Sequence, residues 1–243
     1  MRPRSPTPMW LSRATPLLVL LSTLIATRGA DAQTALDEGS FRLLVGGREV
    51  GRETFSIRRA GSGPDAVIIA QGRVSLDTGP APEEVATKLE VSGAALRPTA
   101  YELTVRGEES RRILGQVVGG RVSARIISPG GEALREYLAS EGAVLVDEGV
   151  AHHYYFLARR LDAAPLRLPL LVPRLSRQVS AQISVTGVEP VTVGDARIEA
   201  RHAIVETPGS PTRHFWVDRE GRVLRLEIPD RNYVAERIAP PPG

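Results

Sequence analysis

The chain has 243 residues, with 31 basic and 28 acidic side chains, four histidines and no cysteine. That composition excludes disulfides, thiolate nucleophiles, cysteine metal sites and a lipid-modified cysteine. All of the small positive charge sits in the first 32 residues, which carry four Arg and one Asp; the remainder is formally neutral, so nucleic acid is not an expected partner.

Residues 1–32 read as an export signal. Arg2, Arg4 and Arg13 precede the apolar stretch 16–26, and Ala30-Asp31-Ala32 supplies small residues for cleavage before Gln33. The apolar stretch is shorter than the roughly 20 residues a bilayer requires. Met9 is an alternative start. The expected product is soluble, periplasmic or extracellular, with no transmembrane segment after processing.

Beyond a short lead at 33–38, residues 39–238 read as one domain, followed by a tail at 239–243. Glycines at 46–47, 61, 79, 93, 107, 119–120, 130–131 and 142 punctuate the first half at strand-plus-turn spacing. "VGGREVG" (45–51) is a glycine-rich hairpin rather than a phosphate cradle, because no helix follows it. Tyr101, Leu103 and Val105 alternate with polar residues, as do Val122, Ala124 and Ile126. This period of two marks strands with one buried face.

Residues 147–161 break the pattern and predict a helix, with Asp147 as N-cap and Val150, Tyr154, Leu157 and Leu161 as its apolar stripe. Pro165 stops it. The segment 165–175 carries prolines at 165, 169 and 173, which favours an extended strap over a central strand. Strands resume after residue 176, with Leu224, Leu226 and Ile228 on one face. About 13 strands are expected, too many for one flat sheet. The fold class is therefore mainly β: a large curved antiparallel sheet, an open barrel or roll, with one short helix at its concave face or mouth.

His152 and His153 do not form a chelating pair, since neighbours diverge on helix and strand alike. His152, Tyr155 and Phe156 lie opposite the apolar stripe, where either a second covering surface or a ligand would meet them. His202 falls with Ile198, Ala200 and Ile204, on the expected inner face of its strand; His214 shares a face with Trp216. These six (His152, Tyr155, Phe156, His202, His214 and Trp216) are the candidate ligand-binding residues. No motif for a catalytic serine, a zinc protease or a phosphate loop occurs. Neither catalytic residues, metal nor cofactor are expected.

Four stretches in order, "FRLLVGGREVGRETFSI", "GAALRPTAYEL", "VDEGVAHHYYFLARRL" and "RHFWVDREGRVLRLEIP", resemble a group of exported bacterial proteins whose domain is of unknown function. The resemblance covers residues 39–238. It implies a strongly curved antiparallel sheet, similar in outline to the periplasmic lipoprotein carriers of the Lol type, and carries over no catalytic residue. The expectation is an exported, non-enzymatic envelope protein binding an apolar or amphipathic, lipid-like ligand in the concave face. The alternatives are a structural or partner-binding envelope protein with a filled core, and a hydrolase using His202 or His214.

Overall fold

The structure, a computed structural model, describes residues 33–77, 82–93 and 95–242. The export signal expected at 1–32 and the turn expected at Gly79 lie outside the described residues. The rest belongs to one compact unit, Asp31–Gly243.

The chain runs β1 (Thr34–Val45), β2 (Arg48–Ala60), β3 (Val67–Leu76), β4 (Glu83–Ser92), β5 (Pro98–Arg106), β6 (Arg111–Val118), β7 (Arg121–Ser128) and β8 (Gly131–Leu138). Next come β9 (Val144–Leu145), the 3₁₀ turn Ala151–His153, α1 (Tyr154–Ala158), β10 (Leu166–Val172), β11 (Arg177–Val193) and β12 (Ala196–Glu206). β13 (Arg213–Val217), β14 (Val223–Ile228) and β15 (Tyr233–Arg237) complete it. β1 begins inside the segment read as a lead.

All fifteen strands belong to one sheet, in the order β8-β7-β6-β5-β4-β3-β2-β1-β15-β14-β13-β12-β11-β10-β9. Every pairing in it is antiparallel except that of β9 with β10, which join in parallel at two residues. This is a meander whose first and last strands pair, through Phe41↔Arg237 to Val45↔Tyr233. Its two end strands, β8 and β9, are consecutive in sequence. Residues 139–143 between them reach about 20 Å at most, so the ends must approach, and the sheet curls into an unclosed barrel. Ser140 ties the junction to β11: its N–H donates to Gln178 Oε1 at 2.7 Å, and Gln178 Nε2 donates to Ser140 Oγ at 3.0 Å.

The alternation read from the sequence places the core. Tyr101, Leu103 and Val105 are buried, as are Val122 and Ala124, while Arg121, Ser123 and Arg125 face solvent. Gly46 and Gly47 take φ of 58° and 78°, the left-handed pair that a two-residue hairpin turn needs. Pro169 lies in β10 outside the two residues that β9 pairs, and Pro190 lies in the part of β11 paired only by β12, so neither missing N–H breaks an interior ladder. The proline-rich strap is thus a near-edge strand.

Two local expectations differ from the structure. The helix is five residues long, preceded by a single 3₁₀ turn, instead of spanning 147–161. Neither has a side-chain cap, and Asp147 spends its carboxylate elsewhere. Its burial is also not one-sided: every residue from 150 to 158 is buried. The curled sheet wraps this segment, so a stripe was the wrong description of it. Strand β12 also turns the other way. Ala203 and Val205 join the main core, whereas Ile198, Ala200 and Trp216 form a second, smaller cluster with Val191, Val193 and Leu224. His202 pairs with Trp216 across the ladder and shares that outer face.

Candidate ligand cavity and the polar interior

The alternation of β2 carries Glu53 into the same buried row as Phe55 and Ile57. Three donors meet it there. The N–H of Ala151 reaches Oε2 at 2.8 Å, and the N–H of His152 reaches Oε1 at 2.9 Å. His152 Nδ1 lies 2.6 Å from Oε1, both side chains fully buried, and the neighbouring carboxylate places the imidazole proton on Nδ1. Glu53 thereby satisfies the open start of the helical segment, the work a cap would otherwise do. The His152 ring stacks on Phe55, with centroids 5.6 Å apart and 5° between planes. It fits only because residue 72 is glycine: a Cβ there would stand 2.3 Å from His152 Cε1.

Asp147 anchors the chain just before this buried segment, residues 150–158, which plugs the curled sheet. Its Oδ2 accepts from the Tyr101 hydroxyl at 2.7 Å and from Arg174 Nε at 3.0 Å, and its Oδ1 from the N–H of Glu148. Burial raises the Asp147 carboxyl above its ordinary range, with Arg174 and Tyr101 pulling the other way. The N–H of Asp147 donates to His153 Nδ1 at 3.1 Å, so neutral His153 carries its proton on Nε2. Burial, then the nearby charges of His152 and Arg174, hold His153 well below 6.5. The two rings meet edge-to-face at 4.6 Å, and neither Nε2 has a partner among the described residues. His153 Nε2 cannot ligate a metal while Nδ1 accepts that N–H. No group of three or more His, Asp or Glu among the described residues is placed to hold a metal ion.

Of the six candidate binding residues, three are in this interior. His152, Tyr155 and Phe156 are 1%, 4% and 2% exposed, covered by the sheet and closed to solvent. The other three lie together on the opposite face. His202 Nε2 and His214 Nδ1 are 3.0 Å apart, and His202 stacks on Trp216 at 4.3 Å with 10° between planes. Glu189 Oε1 accepts from Trp216 Nε1 at 2.5 Å and lies 3.3 Å from His202 Nδ1. Burial lowers the His202 pKa, and Glu189 opposes that shift. The partners of these rings are each other and a carboxylate; among the described residues no Ser, Asp or Tyr hydrogen-bonds to either.

None of the six lines the cavity between the plug and β10–β12. That cavity measures about 80 Å³. Val146, Tyr154, Leu157, Leu170, Val179 and Val205 form its apolar wall. Thr207, Ser210, Arg177, Arg213, Arg231, Asp147 and Glu148 supply its polar groups. Burial pushes the Tyr154 hydroxyl up to about 12, so it enters as a neutral phenol. Tyr154 and Leu157 belong to the apolar stripe expected from the sequence, whereas nothing in that pattern singles out Arg177 or Arg213. The available signal was parity: Arg177 continues the inward row of Val179, Ala181 and Ile183, and Arg213 pairs with inward-facing Val205.

No protein-family model matches this chain, and no curated protein matches it. Among solved structures it is similar to a β-barrel-like protein of domain of unknown function DUF1849 from Brucella abortus. The TM-score is 0.56 at 10% identity, over 86% of this chain and 98% of that one. The likeness is one of fold: a barrel-like β protein without an assigned function. A DUF1089 family protein from Pseudomonas aeruginosa aligns less closely, with TM-score 0.43 and 15% identity over 71% of this chain and 87% of that one. Among the described residues no helix is long and apolar enough to cross a membrane.

Proposed function

We propose that this is an exported, non-enzymatic envelope protein that binds an amphipathic ligand, and that the binding site is the cavity beside the plug. The observation that carries the reading is the division of that cavity into an apolar wall on α1, β10 and β12 and a polar rim. Ligand sites combine a largely apolar lining with a few polar groups that fix orientation. The reading is narrower than a lipid carrier's. Segment 150–158 fills the concave face, and about 80 Å³ is well below the roughly 300 Å³ at which drug-sized sites begin. The ligand is therefore a small amphiphile, or the end of a longer one.

Organic extraction of natively purified protein followed by mass spectrometry tests this. An aliphatic compound should be recovered in stoichiometric amount from the wild type and be reduced at least tenfold in Val179→Phe, which fills the half-buried edge of the cavity. Extracts free of such a compound across wild-type preparations would overturn the proposal.

A second reading, a partner-binding envelope protein with a filled core, is favoured by β8. This eight-residue end strand has no proline and exposes Leu134 and Leu138. An unpaired edge of that kind accepts an added strand.

A further inference from the structure

The charge balance around the cavity specifies the head group of its ligand. Two acids and three arginines border it. Asp147 is matched by Arg174, and Glu148 forms a salt bridge with Arg231. Arg177 and Arg213 have no acidic partner within salt-bridge distance among the described residues. Both stand in rows whose other members face the interior. Arg213 is paired across the ladder with Val205, which is 0% exposed, and Arg177 follows Val179, Ala181 and Ile183 at alternate positions. Two guanidinium groups therefore end inward-facing rows at the mouth of an apolar cavity, Arg213 half-buried and Arg177 exposed, with no acid bridging either among the described residues.

Arg213 is the better ordered of the two. Its Nη1 donates to Thr207 Oγ1 at 3.1 Å, and Thr207 is itself 8% exposed. Only one guanidinium nitrogen is used by that bond; the others remain as donors. Its charge is also close enough to Tyr154, on the cavity wall, to oppose the rise in that hydroxyl's pKa.

We infer that the cavity takes a short aliphatic carboxylate, tail against Tyr154, Leu157 and Leu170 and head group on Arg213, with Arg177 beside it. This rests on the proposal that the cavity is the binding site. A single held guanidinium presents one planar fork, and the planar monoanion that matches it through two parallel hydrogen bonds is a carboxylate. The tail length follows from the volume. A single water needs at least about 10–15 Å³ of such space, so about 80 Å³ seats a head group and only a short tail.

The test is amide-resolved NMR titration of the full chain with four probes: pentanoate, pentanol, pentylammonium and pentyl phosphate. Pentanoate should bind at least tenfold tighter than pentanol, pentylammonium should leave the cavity resonances unmoved, and pentyl phosphate should bind no tighter than pentanoate. Arg213→Gln should weaken pentanoate at least tenfold and leave pentanol unchanged. Across propanoate to octanoate, affinity should rise and then level once the cavity is full. If pentanol matches pentanoate and Arg213→Gln is without effect, the head-group inference fails while the cavity stands. Tighter binding of pentyl phosphate overturns the carboxylate in favour of a larger anion. If no probe moves Tyr154, Leu157 or Val179, the cavity reading fails and takes this inference with it.

Discussion

The interior residues that matter most are titratable groups in places a β core normally gives to aliphatic side chains. Glu53, Asp147, His152 and His153 lie within the barrel, and Asp37 is paired with Arg237 through two contacts of 2.7 and 3.0 Å, each side chain about 1% exposed. Burial raises the Asp37 carboxyl in spite of Arg237. His153, Asp37 and Asp147 impose a pH dependence with a definite sign. His153 stays neutral in the folded protein well below 6.5, whereas an unfolded histidine takes up a proton near that value. Below it the unfolded state binds more protons, so stability falls as pH drops, by up to about 1.4 kcal/mol per pH unit. Asp37 and Asp147, both raised above 3.8, act in the opposite direction. Just above that value the folded state binds more protons, so acidification there is resisted. Urea unfolding from pH 7 to 4 should therefore show a declining limb that begins near pH 6.5 and flattens toward pH 4. His153→Gln should make the declining limb shallower, leaving the smaller contribution of partly exposed His202, and an unchanged slope in that variant would assign the limb to another group.

At the scale of elements, the segment between β9 and β10 has no conformation of its own to impose. α1 is one turn and a half without side-chain caps, and helices shorter than about 12 residues are marginal in water. What holds it is Glu53 from β2, about a hundred positions earlier in the chain, together with the walls of the barrel. A synthetic peptide of residues 147–161 should accordingly show a coil spectrum by circular dichroism at 5 °C in water. Substantial helix in that peptide would mean that local sequence, rather than Glu53 and the sheet, sets the turn. The strands behave in the opposite manner. Their alternation is local, and the ladder registers simply continue it: Tyr101 opposite Leu89, Leu103 opposite Thr87, Val105 opposite Val85.

At the scale of the molecule, the decisive pairing is β1 with β15. β15 is five residues long, bridges β1 and β14, and carries the Arg237 that compensates Asp37. Loss of one partner from a buried pair costs about 3–5 kcal/mol, against a total stability on the order of 5–15 kcal/mol for a domain. A chain ending at Asn232 should therefore lose its cooperative thermal transition in far-UV circular dichroism. Arg237→Met should melt earlier but still cooperatively. A truncated chain that melts cooperatively near the wild-type temperature would show that β1 and β14 close the sheet without β15.

The strand rows, the hairpin glycines and the interruption at 147–176 could be read from the sequence because each is a local matter of period, turn conformation or proline. Glu53 and Asp37 are carboxylates in rows otherwise apolar, Glu53 with Phe55 and Ile57, Asp37 with Phe41 and Leu43, but Asp37 falls in the segment that reads as a lead and neither stands out in the sequence. Their partners were not visible. Glu53 meets Ala151 and His152 at separations of 98 and 99 residues, and Asp37 meets Arg237 at 200. No local pattern encodes such distances. The inner and outer faces of β12, and hence the side on which His202 lies, were likewise open, because Ile198 and Ala200 are as apolar as Ala203 and Val205 and the second cluster exists only once β11 and β12 pack on Trp216. The sequence by itself determined a curved, single-faced β sheet with an irregular insert. Tertiary structure alone decided that the sheet curls round its insert, fills its own concavity and leaves a cavity edged by Arg177 and Arg213. The reason is that closure and what fills the concavity arise from pairings between distant segments, whereas alternation and strand number are read along the chain.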